Sequence, residues 1–506
     1  MPYTNPVIPG FYPDPSICRV GDDYYLVTSS FAYFPGVPLF QSKDLVNWRQ
    51  IGHCLTTEKQ LPLGNTWISG GIFAPTIRHH DGWFYMVTTN VSGMGNFYVR
   101  SKQPEGPWSN PIPVEQKGID PSLLFDEDGR VYFQSTCEGN EGNGIYQCEI
   151  DISTGSLLTE SRLIWKGTGG AYPEAPHLYK INGFYYLLIA EGGTEYGHMA
   201  TIARSSAPYG PYEPCPHNPI LSHRSLKSSI HATGHADLVQ AQDGSWWAVF
   251  LGIRPVSYPM RHHLGRETFL APVSWTDDGW PIIGNGGRIE SVMEAPQLQE
   301  VRWQHKANRD DFDETTLGFD WVFLRNPTPE SWSLHESPGN LVLRGNKVSL
   351  DDAGAPAFVG RRLCHLSCSI AALLDFEPKS EGEEAGLTVF MNERYHYDLA
   401  VRFKDGRKVI IFRRTVGSLR TEHTYDCAAG PVVLKIEAQP EWFVFTIQPN
   451  QSEVLELGSG ETHLLSTEVA GGFTGVIIGM YAVCETGQST PALFDWFDYE
   501  PVIHIE

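Results

Sequence analysis

Five segments in the first 250 residues repeat one pattern: a small or acidic residue, an apolar strand, a tight turn built on Gly, Asp or Asn, then a run of aromatics. They read DPSICRVGDDYYLV from Asp14, APTIRHHDGWFYMV from Ala74, DPSLLFDEDGRVYF from Asp120, APHLYKINGFYYLL from Ala175 and HADLVQAQDGSWWAV from His235. Short Asp-Gly or Asn-Gly style turns between alternating apolar runs are the strongest local signal for a β-hairpin. Their recurrence at intervals of about 46 to 60 residues predicts a propeller. Each repeat is then one four-stranded blade whose innermost strand lines a central channel. The residue that opens each copy stands near the shared axis. Asp14, Asp120 and His235 therefore converge there, together with Glu174, the neighbour of Ala175.

The chain has 506 residues, more than one growing core usually holds, which predicts two domains. Its 50 Gly, 36 Pro and 12% aromatic content suit many short strands joined by turns, so the expected class is all-β. Residues 1–295 form the five-bladed propeller, closed by the N-terminus. The polar stretch 296–310 lacks the repeat and is expected as a linker. From 311 to 506, segments such as EAGLTVFMNERYHYDLAVRF and GPVVLKIEAQPEWFVFTIQ alternate apolar and polar residues at strand period, which predicts a β-sandwich of jelly-roll or lectin-like type.

A net charge of -22 argues against nucleic acid and anionic membrane surfaces, which clustered Lys and Arg would bind. A neutral substrate fits better. The nine cysteines show no CxxC pairs or zinc-like spacing and are expected as free thiols packed in strands. The N-terminal run MPYTNPVIPGFYPDP has no basic start followed by an apolar stretch, and no run of 18 apolar residues occurs, so a cytoplasmic location is expected.

Glycoside hydrolysis needs two carboxyl groups flanking the scissile bond, one protonated to donate to the leaving oxygen and one ionised to activate water or attack. Asp14, Asp120 and Glu174 offer such a set. Because they come from different blades, they favour the inverting separation of roughly 6.5 to 9.5 Å over the retaining one of about 5 Å. A desolvated cluster of carboxylates also splits its own pKa values, which can keep one acid protonated near neutral pH. An Asp before Pro often serves a turn. The identical phase of Asp14 and Asp120, with Ala74 and Ala175 at the same position elsewhere, points instead to a choice made for the channel. His235 reads either as a core histidine or as a ligand or orienting group.

The run NPVIPGFYPDPSICRVGDDYYLVTSSFAYFPGVPLFQSKDLVNW, with SGGIFAPTIR, GIDPSLLFDEDGRVYF, YPEAPHLYKINGFYYLLIAEGGTEYGHMATIARS, TGHADLVQ and LGRE, resembles glycoside hydrolase family 43, closest to its β-xylosidase and α-L-arabinofuranosidase members. The resemblance spans nearly the whole chain and implies a propeller followed by a sandwich. It implies that Asp14 is the general base, Glu174 the general acid, and Asp120 the aspartate that tunes and orients that acid. Arg266, in LGRE, matches an arginine that contacts the sugar. Phe31 and Phe73 match residues that border it. Phe73 stands where several pure xylosidases carry Trp, which leaves the preference between xylosides and arabinofuranosides open. His235 matches a histidine that in many members faces a largely water-bound Ca²⁺ ion in the channel. A single imidazole is a sparse donor set for a hard cation.

In such relatives a loop of the sandwich closes one end of the pocket and restricts it to exo action. Phe473, in GGFTG, is the candidate for that loop, with local turn packing as its alternative. The cap can come from the same subunit or from a neighbouring one, which leaves a homo-oligomer open. The expected activity is exo-acting, inverting release of terminal xylose or L-arabinofuranose from xylo-oligosaccharides or arabinoxylan fragments. The alternatives are an endo-arabinanase on the same propeller, which would need an open groove, and a non-catalytic sugar-binding propeller, which would have lost at least one of the three carboxylates.

Overall fold

A computed structural model describes residues 1–296, 298–304, 307–449, 453–486 and 489–502. Each repeat forms the first two strands of a separate antiparallel sheet. The inner strands are Ser16–Val20, Thr76–His80, Ile119–Phe125, Glu174–Ile181 and His231–Gln240, and each is followed outward by its hairpin partner and further strands of the same blade. The five inner strands touch one another in sequence, the last against the first, so the ring is closed around an axis. The turn chemistry explains the tightness of the hairpins. Asp81-Gly82 and Asn182-Gly183 have positive φ at both residues (+47° and +73°, +50° and +82°), the conformation of a two-residue loop whose twist matches the strands it joins.

Closure of the ring uses the N-terminus. Pro2–Thr4 pairs antiparallel with Val292–Glu294, Ile8 bridges Thr268, and Tyr3 donates its hydroxyl to the Leu270 carbonyl at 3.0 Å. The aromatic runs fill the wedges between blades. Tyr25 and Phe84 pack between the first and second blades, Tyr85 and Phe133 between the second and third, and Tyr186 and Phe250 between the fourth and fifth. Tyr24 and Trp247 fill the wedge where the fifth blade meets the first. Each buried Leu or Phe of these layers contributes about 1.5–3 kcal/mol through removal from water.

The second half is a sandwich of two antiparallel sheets. The larger is built around Ala492–Pro501 and Cys368–Asp375, and Arg309–Asp310, within the stretch expected as a linker, already pairs with the first of these. The smaller runs in the order Ala357–Arg362, Ile477–Cys484, Glu383–Asn392, Tyr395–Lys404, Arg407–Val416 and Leu419–Asp426. One apolar core lies between them, with Leu387, Leu399 and Phe412 facing Leu434, Phe445 and Phe494.

The opposite face of the smaller sheet packs onto the propeller, where Phe358, Phe390, Ile411 and Tyr481 cluster with Phe11, Phe31 and Tyr33. The two domains also share backbone: Tyr33–Phe34 pairs with Phe323–Leu324. Burying this face brings the tip of the sandwich, residues 471–475, over the propeller axis. The nine cysteines are unpaired, and among the described residues no helix is long and apolar enough to cross a membrane.

Candidate active site

A shared backbone device delivers the axial residues. Asp14, Asp120, Ala175 and His235 all adopt left-handed backbone, with φ of +56°, +53°, +54° and +52°. Asp and His tolerate this region better than most residues, and Ala less well. In the third, fourth and fifth blades the register shifts at this point, between Ile119 and Ser122, Glu174 and His177, and Gly234 and Asp237. Each is a bulge in the inner strand, which re-aims side chains at the channel mouth. The bulge also accounts for Glu174, because a carboxyl can enter the mouth from the bulged residue, as in Asp120, or from the residue before it. Ala175 shows that the backbone turn is required whatever the side chain.

All eight residues singled out from the sequence line one cavity of about 100 Å³: Asp14, Phe31, Phe73, Asp120, Glu174, His235, Arg266 and Phe473. Wider clefts exist. One of about 820 Å³ beside Trp48, Trp303 and Phe319 has a single carboxyl group, Asp320, in its lining, so it lacks the pair that glycoside hydrolysis needs.

Asp14 is held from several sides. Arg266 donates from Nη1 to its Oδ1 at 2.6 Å and from Nη2 to its Oδ2 at 3.4 Å, and Ser29 Oγ donates to Oδ2 at 2.6 Å. His235 Nδ1 stands 3.6 Å from Oδ1. Burial alone would raise the carboxyl, but the Arg266 and His235 charges and the Ser29 bond outweigh it and hold Asp14 below the ordinary carboxylate range. Asp14 is thus ionised at neutral pH.

Glu174 behaves oppositely. Burial, then the nearby carboxylates of Asp120 and Asp14, push it up to about 8. Asp120, which accepts the Ala175 backbone N–H at 3.2 Å, is itself raised to about 6 by burial, with His235 opposing and Asp14 reinforcing the shift. Near pH 7 the cavity therefore holds one firmly ionised carboxylate and one protonated acid, from the first and fourth blades, which are not neighbours in the ring.

The sandwich supplies one wall. Phe473 donates its backbone N–H to Ser69 Oγ at 2.9 Å, and its carbonyl accepts from Arg266 Nη2 at 3.5 Å. Its ring lies 6.2 Å from Phe31 at 24° and 5.9 Å from Phe73 at 76°, so three phenylalanines face the carboxylates. The approach is close enough to require glycine: a Cβ on Gly472, whose φ is +81°, would stand 2.4 Å from Ser69 Oγ. Behind the loop, Glu468 of the short helix Thr467–Ala470 accepts from His262 Nδ1 at 2.8 Å and from the Tyr196 hydroxyl at 2.9 Å, clamping it to the propeller.

Sequence reasoning missed four parts. Ser29 and Thr194 lay within recognised runs but carried no signal of their own; Thr194 Oγ1 accepts from Arg266 Nη1 at 3.1 Å. Ser69 holds the capping loop. His198, fully buried and pushed down to about 3 chiefly by burial and then by His235, stays neutral and donates from Nδ1 to the Gly193 carbonyl at 2.6 Å, bracing the loop that carries Thr194. None of these has a spacing that marks it in advance.

The described residues build no protein cage for the expected Ca²⁺, whose shell would have to be water. Among the described residues no three His, Cys, Asp or Glu side chains converge on a metal position, and His235 faces the Asp14–Arg266 pair. A hard dication takes six to eight oxygen ligands.

Residues 3–281 match the family model for glycosyl hydrolases family 43, and residues 309–500 match the β-xylosidase C-terminal concanavalin A-like domain. The chain belongs to glycoside hydrolase family 43. As a family 43 glycoside hydrolase it is 47% identical to a non-reducing end α-L-arabinofuranosidase of Bacteroides ovatus, over 98% of this chain and 94% of that one. It is 42% identical to a xylosidase/arabinosidase of Butyrivibrio fibrisolvens, over 94% and 95%. A solved structure of the Bacteroides ovatus xyloglucan PUL family 43 protein superposes with a TM-score of 0.96 at 45% identity, covering 99% of this chain and all of that one. The xylan β-1,4-xylosidase of Bacillus halodurans gives 0.93 at 36% identity, covering 98% and 100%.

Proposed function

We propose that this family 43 enzyme removes one terminal sugar, L-arabinofuranose or xylose, from the non-reducing end of an oligosaccharide, with inversion of configuration. The observation that carries the reading is the pairing, in one small cavity, of an ionised Asp14 with a protonated Glu174. Glu174 donates its proton to the glycosidic oxygen as the bond to the anomeric carbon breaks. Asp14 takes a proton from the water that attacks the opposite face. Asp120 raises Glu174 through its negative charge and so keeps the acid loaded. Arg266 keeps Asp14 ionised and is placed to meet a sugar hydroxyl.

The size of the cavity supports exo action. At about 100 Å³ it is well below the roughly 300–1,000 Å³ of sites that enclose drug-sized ligands, and the loop of Phe473 closes one side. Relatives named both as arabinofuranosidases and as xylosidases support either terminal pentose. An endo-acting arabinanase would need a groove open at both ends, which the docked sandwich obstructs.

The test pairs 4-nitrophenyl α-L-arabinofuranoside with 4-nitrophenyl β-xyloside, and follows the first product from a xylo-oligosaccharide or arabinoxylan fragment by chromatography and ¹H NMR. A single pentose released with inverted anomeric configuration supports the reading. Oligosaccharide products from the chain interior, or retained configuration, overturn it.

A further inference from the structure

One layer below the catalytic mouth, two residues further along the inner strands, stand Ser16, His177 and Asp237. Asp237 is fully buried, and both of its oxygens are saturated. Oδ2 accepts from Ser16 Oγ at 2.6 Å, from the Ile17 backbone N–H at 3.0 Å and from Arg78 Nη1 at 2.8 Å. Oδ1 accepts from the Tyr179 hydroxyl at 2.6 Å and from Arg78 Nη2 at 3.2 Å. Arg78 Nη2 also donates to His177 Nδ1 at 2.9 Å, which leaves that imidazole neutral with its proton on Nε2. A single carboxylate–guanidinium pair thus joins the first, second, fourth and fifth blades around the axis.

Such a layer needs a cation, because a buried carboxylate without a partner is strongly disfavoured. A divalent ion would find no free protein oxygen in this layer: both oxygens of Asp237 are engaged, and Ser16 Oγ donates to Asp237 while also accepting the Ile77 N–H at 3.1 Å. The guanidinium supplies the charge instead, and its planar fork suits the geometry of a carboxylate and an imidazole on one edge. We propose that Arg78 is the resident cation of the propeller channel, standing in for a divalent metal, and that the protein folds and turns over substrate without one.

The primary test uses the wild-type chain purified without added metal. Inductively coupled plasma mass spectrometry is expected to find far less than one calcium per chain, and neither excess chelator nor added Ca²⁺ should move the melting temperature or kcat/KM. A calcium content near one per chain, or a loss of melting temperature in chelator that Ca²⁺ restores, would overturn the proposal. Arg78→Met is expected to lower the melting temperature by on the order of 10 °C, with most of that loss recovered in Arg78→Met/Asp237→Asn, where the orphaned charge is gone. An unchanged melting temperature in Arg78→Met would also overturn it, and the metal content of the wild type decides the matter if that variant does not fold.

Discussion

Arg266 and Asp14, 252 residues apart in sequence, meet at 2.6 Å at the mouth of the propeller, and the guanidinium makes Asp14 the most firmly ionised of the three carboxylates there. The third strand of the last blade and the entry to the first are thereby joined by one buried ion pair. The resemblance implies that this arginine contacts the sugar, and the structure adds its hold on Asp14.

Removing that charge should move the acid limb of the rate profile. In Arg266→Met the main charge opposing the burial of Asp14 is gone, its pKa rises, and the base is lost at a higher pH than in the wild type. The expected result is a kcat/KM at pH 7 lower by on the order of 10²-fold, with the acidic limb displaced upward. An unmoved limb would detach Arg266 from the ionisation of Asp14.

The alkaline limb belongs to Glu174. In the proposed mechanism protonated Glu174 is the active form, so kcat/KM should fall as pH rises through about 8. In Asp120→Asn the negative charge that helps to raise Glu174 is removed. The limb should then move to lower pH while Asp14 remains ionised, and a pH series on an aryl glycoside reads the displacement.

The proposed mechanism gives Phe473 a role in the shape of the sugar site alone. Phe473→Ala should raise KM about tenfold, which corresponds to about 1.4 kcal/mol of lost apolar contact, with kcat much less affected. Gly472→Ala should act in the same direction, because its methyl group collides with Ser69 Oγ and pushes the loop away. A normal KM in both variants would show that the loop does not border the sugar.

Away from the active site, the sandwich holds its own titrating group. His396 is fully buried between Asp398 and Asp351, both at 2.9 Å, and although burial lowers it, the two carboxylates raise it to about 9. Its contribution to stability is present in full below the unfolded value of about 6.5 and is lost as pH rises through about 9. The gap in melting temperature between wild type and His396→Gln should therefore be wide at pH 6 and narrow at pH 9.5.

The blades were readable from the sequence because a hairpin advertises itself locally, through period-two alternation and turns such as Asp81-Gly82. Comparing the repeats at one phase then found Asp14, Asp120 and His235, and their offset neighbour Glu174. The reason for the offset was hidden. Ala175 shares the left-handed backbone of the two aspartates, so the bulge is a property of the blade and the choice of side chain is separate. Contacts made only by folding were also hidden, among them Arg266 with Asp14, Phe473 with Ser69, and Arg78 with Asp237. Arg78 sits in plain view in APTIRHH, yet nothing in that run says that its guanidinium crosses the channel to the fifth blade, where a metal ion was expected.

The most direct test of the central claim is a leaving-group series on Glu174→Ala. If Glu174 protonates the departing oxygen, the variant should lose about 10²–10⁴-fold in kcat on a natural disaccharide, whose alkoxide leaves poorly, and far less on a dinitrophenyl glycoside, which leaves without help. Equal losses on both substrates, or no loss on the disaccharide, would contradict the assignment.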